Sequence, residues 1–333
     1  MIKKYGKKAL FFALALFAAL WLAARGKALP LAPVGAAEKR FYTFLVCGLD
    51  KTSENTDVMM LASLDTESGG VNILQIPRDT FVNGAGHGLR VTRVNAVYAA
   101  YLGLQGGKKA AMEKLCSFLG RALCVEIDRY VLMDTASFAK IVDAVGGVEY
   151  DVPFDMDYED PAQGLYIHLK AGTQMLSGKK AEAFIRYRAG YATGDIGRVE
   201  ARGGFMREAL RQVREKLSCT GAVTIAAELL SAVTTNISAH EAAYFAARLY
   251  GAENESVHIK TLAGSAVQNP KTGVWIYYAL NKRAALNDIN AYIKPHGAEA
   301  LYEEFDESAV FTDDPKGENP YISKYYYSEI KKE

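Results

Sequence analysis

Aspartates and arginines at a few fixed points are the residues of this chain best suited to chemistry. The octapeptide Ile73-Leu74-Gln75-Ile76-Pro77-Arg78-Asp79-Thr80 sets an arginine and an aspartate directly after an apolar run. A second group holds Arg186-Tyr187-Arg188, then Asp195, Arg198 and Arg202. Guanidinium forks match phosphate oxygens, so two such groups point to a polyanionic phosphate ligand. For Arg78 and Asp79 taken alone, a salt bridge at a strand end is the plain alternative. Asp50 and Asp57 lie at the ends of two further apolar runs. Hard carboxylates across a short loop suit Mg²⁺, which takes oxygen ligands and phosphate. A turn role for Asp50 and a strand-start cap for Asp57 are equally ordinary. The chain has no GxSxG elbow, no P-loop and no HExxH, so the familiar hydrolase, NTPase and zincin chemistries have no support.

The elements that must hold these residues follow from the apolar pattern. Residues 41–48 and 58–64 read as strands, and the second is apolar enough to be buried on both faces of a helix-covered sheet. Residues 71–76 form a third strand, which Pro77 ends because it has no N–H to donate. Arg78 and Asp79 then stand at a strand exit, a common place for ligand groups in an open α/β sheet. Residues 83–88 read as a glycine-rich mobile loop, followed by Arg90, Arg93 and a helix over 95–102. Helices are also predicted at 108–120, 135–145, 178–185, 198–217, 222–233, 238–250 and 279–293. Strands are predicted at 129–133 and 148–152, with an edge strand at 257–262. Ser238 is placed to cap the helix that holds Glu241. The acidic stretch Asp155, Asp157, Glu159 and Asp160 lacks the glycine and terminal glutamate of a calcium loop and reads as a solvated turn. Together these give one three-layer α/β/α domain around a central mixed sheet.

Composition limits the partners. The 333 residues are half apolar and carry a net charge of +1, so no overall basic field marks a nucleic-acid binder. The four cysteines form no CxxC and the five histidines are scattered, which leaves no zinc-ligand spacing. Cys116 and Cys124 are close enough in sequence to predict a disulfide, with a pair of buried thiols as the alternative. Lys3, Lys4, Lys7 and Lys8 precede an uninterrupted apolar run at 9–24. At 1.5 Å per residue the run spans about 24 Å, and snorkelling of Lys8 and Arg25 extends it toward a bilayer's hydrocarbon core. The organisation expected is a cytoplasmic tail (1–8), a membrane helix (9–24), a linker (25–40), an extracytoplasmic domain (41–293) and a polar tail (294–333). A cleaved signal peptide is the alternative for the first segment.

Several motifs occur in an order that resembles the LytR–CpsA–Psr family of membrane-anchored cell-wall enzymes. They are Gly48-Leu49-Asp50, Thr56-Asp57-Val58-Met59-Met60, Ile76-Pro77-Arg78-Asp79-Thr80, Arg93-Val94-Asn95 and Val145-Gly146-Gly147-Val148. Leu176-Ser177-Gly178, Arg186-Tyr187-Arg188, Asp195-Ile196-Gly197-Arg198 and Thr235-Asn236-Ile237-Ser238 follow. The resemblance implies transfer of a glycopolymer such as teichoic acid or capsule from a polyprenyl-pyrophosphate carrier to peptidoglycan. It implies Mg²⁺ on Asp50 and Asp57, and pyrophosphate on Arg78, Arg186, Arg188 and Arg198; Arg93 and Arg202, which depart from the family pattern, are further candidate pyrophosphate contacts. Asp79 becomes a candidate base toward the acceptor hydroxyl, and Asp195 a further site aspartate. A non-catalytic binder of the lipid-linked polymer and a pyrophosphatase are the alternative functions. Three positions depart from the family pattern. Asn55 replaces an arginine, Arg93 replaces a lysine, and Ala201-Arg202 replaces an Arg-Gln pair. Arg202 either restores the charge missing at position 55 or faces solvent.

Overall fold

The computed structural model describes residues 39–50, 54–161, 164–187, 190, 201, 204–205, 208–209, 212, 230–250, 257–268 and 275–294. The predicted membrane helix, most of the 198–217 and 222–233 helices and the polar tail lie outside the described residues. So do Arg188, Asp195, Arg198, Arg202 and Cys219. Among the described residues no helix is long and apolar enough to cross a membrane.

Three antiparallel strands form the centre: β1 (Phe41–Leu49), β2 (Thr56–Asp65) and β3 (Val71–Gln75). β4 (Arg129–Met133) adds parallel to β1, and the short β9 (Thr234–Thr235) adds antiparallel to β4. β10 (Val257–Thr261) closes the other edge parallel to β3, giving a mixed six-stranded sheet ordered β10-β3-β2-β1-β4-β9. Each central strand is apolar on both faces, because each face carries its own core. Phe44, Val46, Met60 and Ile73 point into one core, with Phe138, Phe184 and Phe245. These aromatics come from α3 (Thr135–Ala144), α4 (Gly178–Arg186) and α5 (Ala239–Tyr250). Leu45, Cys47, Met59 and Leu74 point into the other core, with Tyr98, Phe118 and Ile289. Those come from α1 (Val97–Gln105), α2 (Lys108–Ala122) and α6 (Lys282–Tyr292).

Local chemistry sets the helix ends. Ser238 Oγ accepts the Glu241 N–H at 3.2 Å while Glu241 Oε2 accepts the Ser238 N–H at 2.9 Å, the reciprocal capping box expected there. Asp134 caps α3 through the Ser137 N–H at 2.7 Å. At Gly178 an added Cβ would overlap the Ala139 carbonyl, so α4 approaches α3 as only glycine allows.

Several expectations are corrected. The acidic stretch is no loose turn: β6 (Met156–Asp160) pairs with β7 (Leu165–Leu169). Met156, Leu165, Ile167 and Leu169 point to the core, which outweighs the charges on the outer face. A second hairpin pairs β5 (Val148–Val152) with β8 (Gly172–Leu176). Residues 83–88 contain a 3₁₀ turn, Gly84–His87, at whose head Asn83 Oδ1 accepts the Gly86 N–H at 3.4 Å. The last helix starts at Lys282, capped by Asn281, because the preceding aromatic run is β12 (Trp275–Leu280), paired with β11 (Gly264–Gln268). No disulfide joins Cys116 and Cys124. Cys116 is on α2, whereas Cys124 follows that helix with a left-handed φ of 53° and turns its Sγ to the Arg121 carbonyl at 3.9 Å.

Candidate active site

Sheet register brings the first acid and arginine group together. Met60 pairs with Gln75. Asp57 lies three residues before Met60 and Arg78 three residues after Gln75, so the antiparallel register carries both to the same end of the sheet. A β-bulge aims Asp57. Gly48 pairs with Val58 and Leu49 with Thr56, which leaves Asp57 as the extra residue on its strand. A bulge bends its strand and re-aims a side chain. Here Asp57 Oδ1 accepts from Arg78 Nη1 at 2.8 Å, with side-chain exposures of 14% and 33%.

Pro77 turns the chain after β3, and its carbonyl accepts both the Thr80 N–H at 2.9 Å and the Thr80 hydroxyl at 2.6 Å. The turn presents Arg78 and Asp79 side by side. Asp79 Oδ2 stands 3.6 Å from Arg78 Nε, and its Oδ1 stands 4.0 Å from Arg93 Nε. The Arg93 segment is strapped in place by its backbone. Val94 N–H donates to Thr80 O at 2.9 Å, Asn95 N–H to Arg78 O at 3.2 Å, and the Thr56 hydroxyl to Asn95 O at 3.2 Å. The Arg-x-Asn motif is therefore joined to the Pro-Arg-Asp segment through backbone and charge, and to the Thr-Asp motif through the Thr56 hydroxyl.

Asp50 leaves β1 at the same end, and its N–H donates to the Asn55 carbonyl at 2.9 Å. Glu54, just before Asn55, takes a left-handed φ of 53°. The donor chemistry of this corner fits Mg²⁺. The ion binds through one or two carboxylates and keeps its remaining positions for waters and substrate phosphate, and Asp50 and Asp57 flank one strand connection. Among the described residues no cluster of three His, Cys, Asp or Glu side chains forms a self-sufficient metal cage.

Arg186 ends α4, where its Nη1 lies 3.3 Å from Glu182 Oε1 with 16% of the side chain exposed. Tyr187 after it is buried and packs on Phe154, ring centroids 6.1 Å apart. The ion pairs above bring together Asp57, Arg78, Asp79 and Arg93, whereas Arg186 pairs with Glu182 on its own helix. The sequence reading missed β12. Tyr278 N–H donates to Asp79 O at 2.8 Å, and Phe81 N–H donates to Tyr278 O at 2.9 Å. Tyr278 is a fixed support: its hydroxyl donates to Leu262 O at 2.8 Å, and burial, with Asp288 nearby, pushes its pKa up to about 12. Tyr277 lies under Arg93, with the guanidinium 5.3 Å from the ring centroid. The run of aromatic and β-branched residues in Trp275-Ile276-Tyr277-Tyr278 was the available signal for a strand.

The structure thus defines a mixed α/β protein with a charged site at one end of its central sheet. The chain matches the LytR_cpsA_psr family over residues 26–292 and belongs to it. It is 27% identical over 235 residues to the Bacillus subtilis (strain 168) polyisoprenyl-teichoic acid–peptidoglycan teichoic acid transferase TagV, covering 68% of this chain and 58% of that protein. It is also 27% identical over 205 residues to the Corynebacterium glutamicum cell wall biosynthesis protein LcpA, covering 56% of this chain and 38% of that protein. The matches therefore span less than two thirds of either relative. The crystal structure of B. subtilis TagV has the same fold, with a TM-score of 0.56 at 23% identity over 78% of this chain and 99% of that one.

Proposed function

We propose that this protein is a membrane-anchored, extracytoplasmic phosphotransferase. It moves a glycopolymer from a polyprenyl-pyrophosphate carrier to peptidoglycan. The observation that carries the reading is the Asp57–Arg78–Asp79–Arg93 group, assembled by the Thr-Asp, Pro-Arg-Asp and Arg-x-Asn motifs at one end of the sheet. Transferase relatives such as TagV, named for moving teichoic acid from a polyisoprenyl carrier to peptidoglycan, support it. Phosphoryl transfer leaves a protein little covalent work; it must position the reactants and neutralise charge. Arg78 and Arg93 neutralise the two phosphates and hold them in line with the acceptor. Arg186, Arg188, Arg198 and Arg202 extend the same role from the second group. Asp57 fixes the Arg78 guanidinium. Asp79 takes the proton of the acceptor sugar hydroxyl as its oxygen bonds to phosphorus and the polyprenyl phosphate departs. Mg²⁺ on Asp50 and Asp57 would add charge neutralisation at the pyrophosphate. The apolar run at 9–24 would keep the site beside the bilayer that holds the lipid carrier.

The test is incubation of the full chain with a radiolabelled polyprenyl-pyrophosphate glycopolymer, with and without peptidoglycan. Label appearing in peptidoglycan only when the acceptor is present supports transfer. Release of free polymer without acceptor means a pyrophosphatase. Retention of unreacted lipid under both conditions means a binder.

A further inference from the structure

Tyr277 stands outside every segment that supplies an acidic or arginine side chain to the site. It is 3% exposed and belongs to β12. Its ring is nevertheless the surface on which the Arg93 guanidinium rests, 5.3 Å from the centroid. The ring is fixed from three sides. Phe81 packs edge-on against it, with centroids 5.1 Å apart and planes at 87°. Its hydroxyl and the Thr92 hydroxyl share a hydrogen bond of 3.2 Å. The next residue along, Tyr278, is bonded through its backbone to both Asp79 and Phe81, so β12 cannot slide relative to the site turn.

Arg93 needs such a surface. Its side chain is 43% exposed, and its contact with Asp79 is only a loose 4.0 Å. A long exposed side chain samples many rotamers, and ordering it on binding costs affinity. An aromatic face attracts a cation, and a planar guanidinium lies flat on a ring as a compact ammonium does not. The arginine at this position, where the family resemblance implies lysine, is the residue that makes the ring useful.

We infer that Tyr277 is a positioning residue: its ring holds the Arg93 guanidinium ready for the anionic group received by the Asp57–Arg78–Asp79 cluster. The inference rests on the pyrophosphate reading of that cluster. A purely structural tyrosine would stabilise the fold equally whatever stood at position 93.

Binding of geranylgeranyl pyrophosphate to the full chain, measured by calorimetry with Mg²⁺ present, separates the two roles. Tyr277→Phe keeps the ring and should bind within about twofold of the unaltered protein. Tyr277→Leu should bind about fivefold more weakly, the loss expected for one partly exposed cation–π contact. In an Arg93→Gln background, which lacks the cation, Tyr277→Leu should add less than about twofold. Equal losses from Tyr277→Leu in both backgrounds, or a loss with Tyr277→Phe as large as with Tyr277→Leu, would overturn the inference and leave the pyrophosphate reading intact. No binding by the unaltered protein would overturn that reading and the inference with it. Tyr277→Met, of similar bulk, runs through the same cycle should the leucine variant not fold.

Discussion

Gly178→Ala is the sharpest structural prediction, because it acts on the helix that carries Arg186. Gly178 is buried at the start of α4, and an added Cβ would overlap the backbone carbonyl of Ala139 on α3. A carbonyl in a helix cannot swing aside as a side chain can, so the cost falls at the upper end of the 1–3 kcal/mol typical of overpacking, about 3 kcal/mol. The same shift strains the hydrogen bond from the Gly178 N–H to Asp143 Oδ1, now 2.7 Å, which adds about 1 kcal/mol. A total near 4 kcal/mol lowers the melting temperature by about 8–15 °C for a domain of this size. Arg186 lies eight residues on, about 12 Å along the same helix, so turnover should fall as well. Thermal unfolding followed by far-ultraviolet circular dichroism measures the effect. Lys179→Ala, at the exposed next position, serves as the control and should stay within about 0.5 kcal/mol. A Gly178→Ala melting temperature within about 2 °C of the unaltered protein would refute the close-approach reasoning.

Two further predictions concern the surface ion pairs and the thiols. Burial alone would raise the Asp65 carboxyl, but the Arg40 guanidinium, the Glu67 N–H and the Ser68 hydroxyl together draw its pKa down from 3.8 to about 2. That stability is complete above about pH 4 and is lost as pH falls toward 2. With Arg40 half-exposed it amounts to about 1–2 kcal/mol. Urea unfolding should show that cost for Asp65→Asn at pH 7 and a vanishing one near pH 2; an equal cost at both would contradict the pairing. Cys116 and Cys124 should each take one alkyl group in denatured, unreduced protein. In the native protein Cys116 should react slowly, because burial, with Glu113 nearby, raises its thiol pKa to about 12. Mass spectrometry showing the two cysteines bridged would reject this.

Much of the sheet was legible because β1, β2 and β3 are apolar on both faces, which few other settings permit. The edge position of β10 also followed from its sequence, but its parallel pairing with β3 did not, since partner choice depends on contacts far apart in the chain. The β6–β7 hairpin was hidden by its charges. Asp157, Glu159 and His168 line its outer face, and the alternation in Leu165-Tyr166-Ile167-His168-Leu169 was the clearer sign. For the site, residue types and motif order indicated Asp57, Arg78, Asp79 and Arg93. Their meeting depends on the β2–β3 register and on the bulge at Asp57, neither of which a single sequence displays. Tyr277 and Tyr278 were missed for a related reason: they touch the site turn only because β12 folds back on it from nearly two hundred residues away.

The central claim is that the Asp57 corner, with Arg78 beside it, handles a metal-bridged pyrophosphate. The most direct test is the rate of glycopolymer transfer to peptidoglycan as a function of Mg²⁺ concentration, for the unaltered protein and for Asp57→Ala. The account predicts a saturable Mg²⁺ dependence for the former. For the variant it predicts a loss of at least about a hundredfold at limiting Mg²⁺, with a melting temperature lowered by only a few degrees, as expected for one partly exposed ion pair. Superimposable Mg²⁺ curves for the two proteins would contradict it.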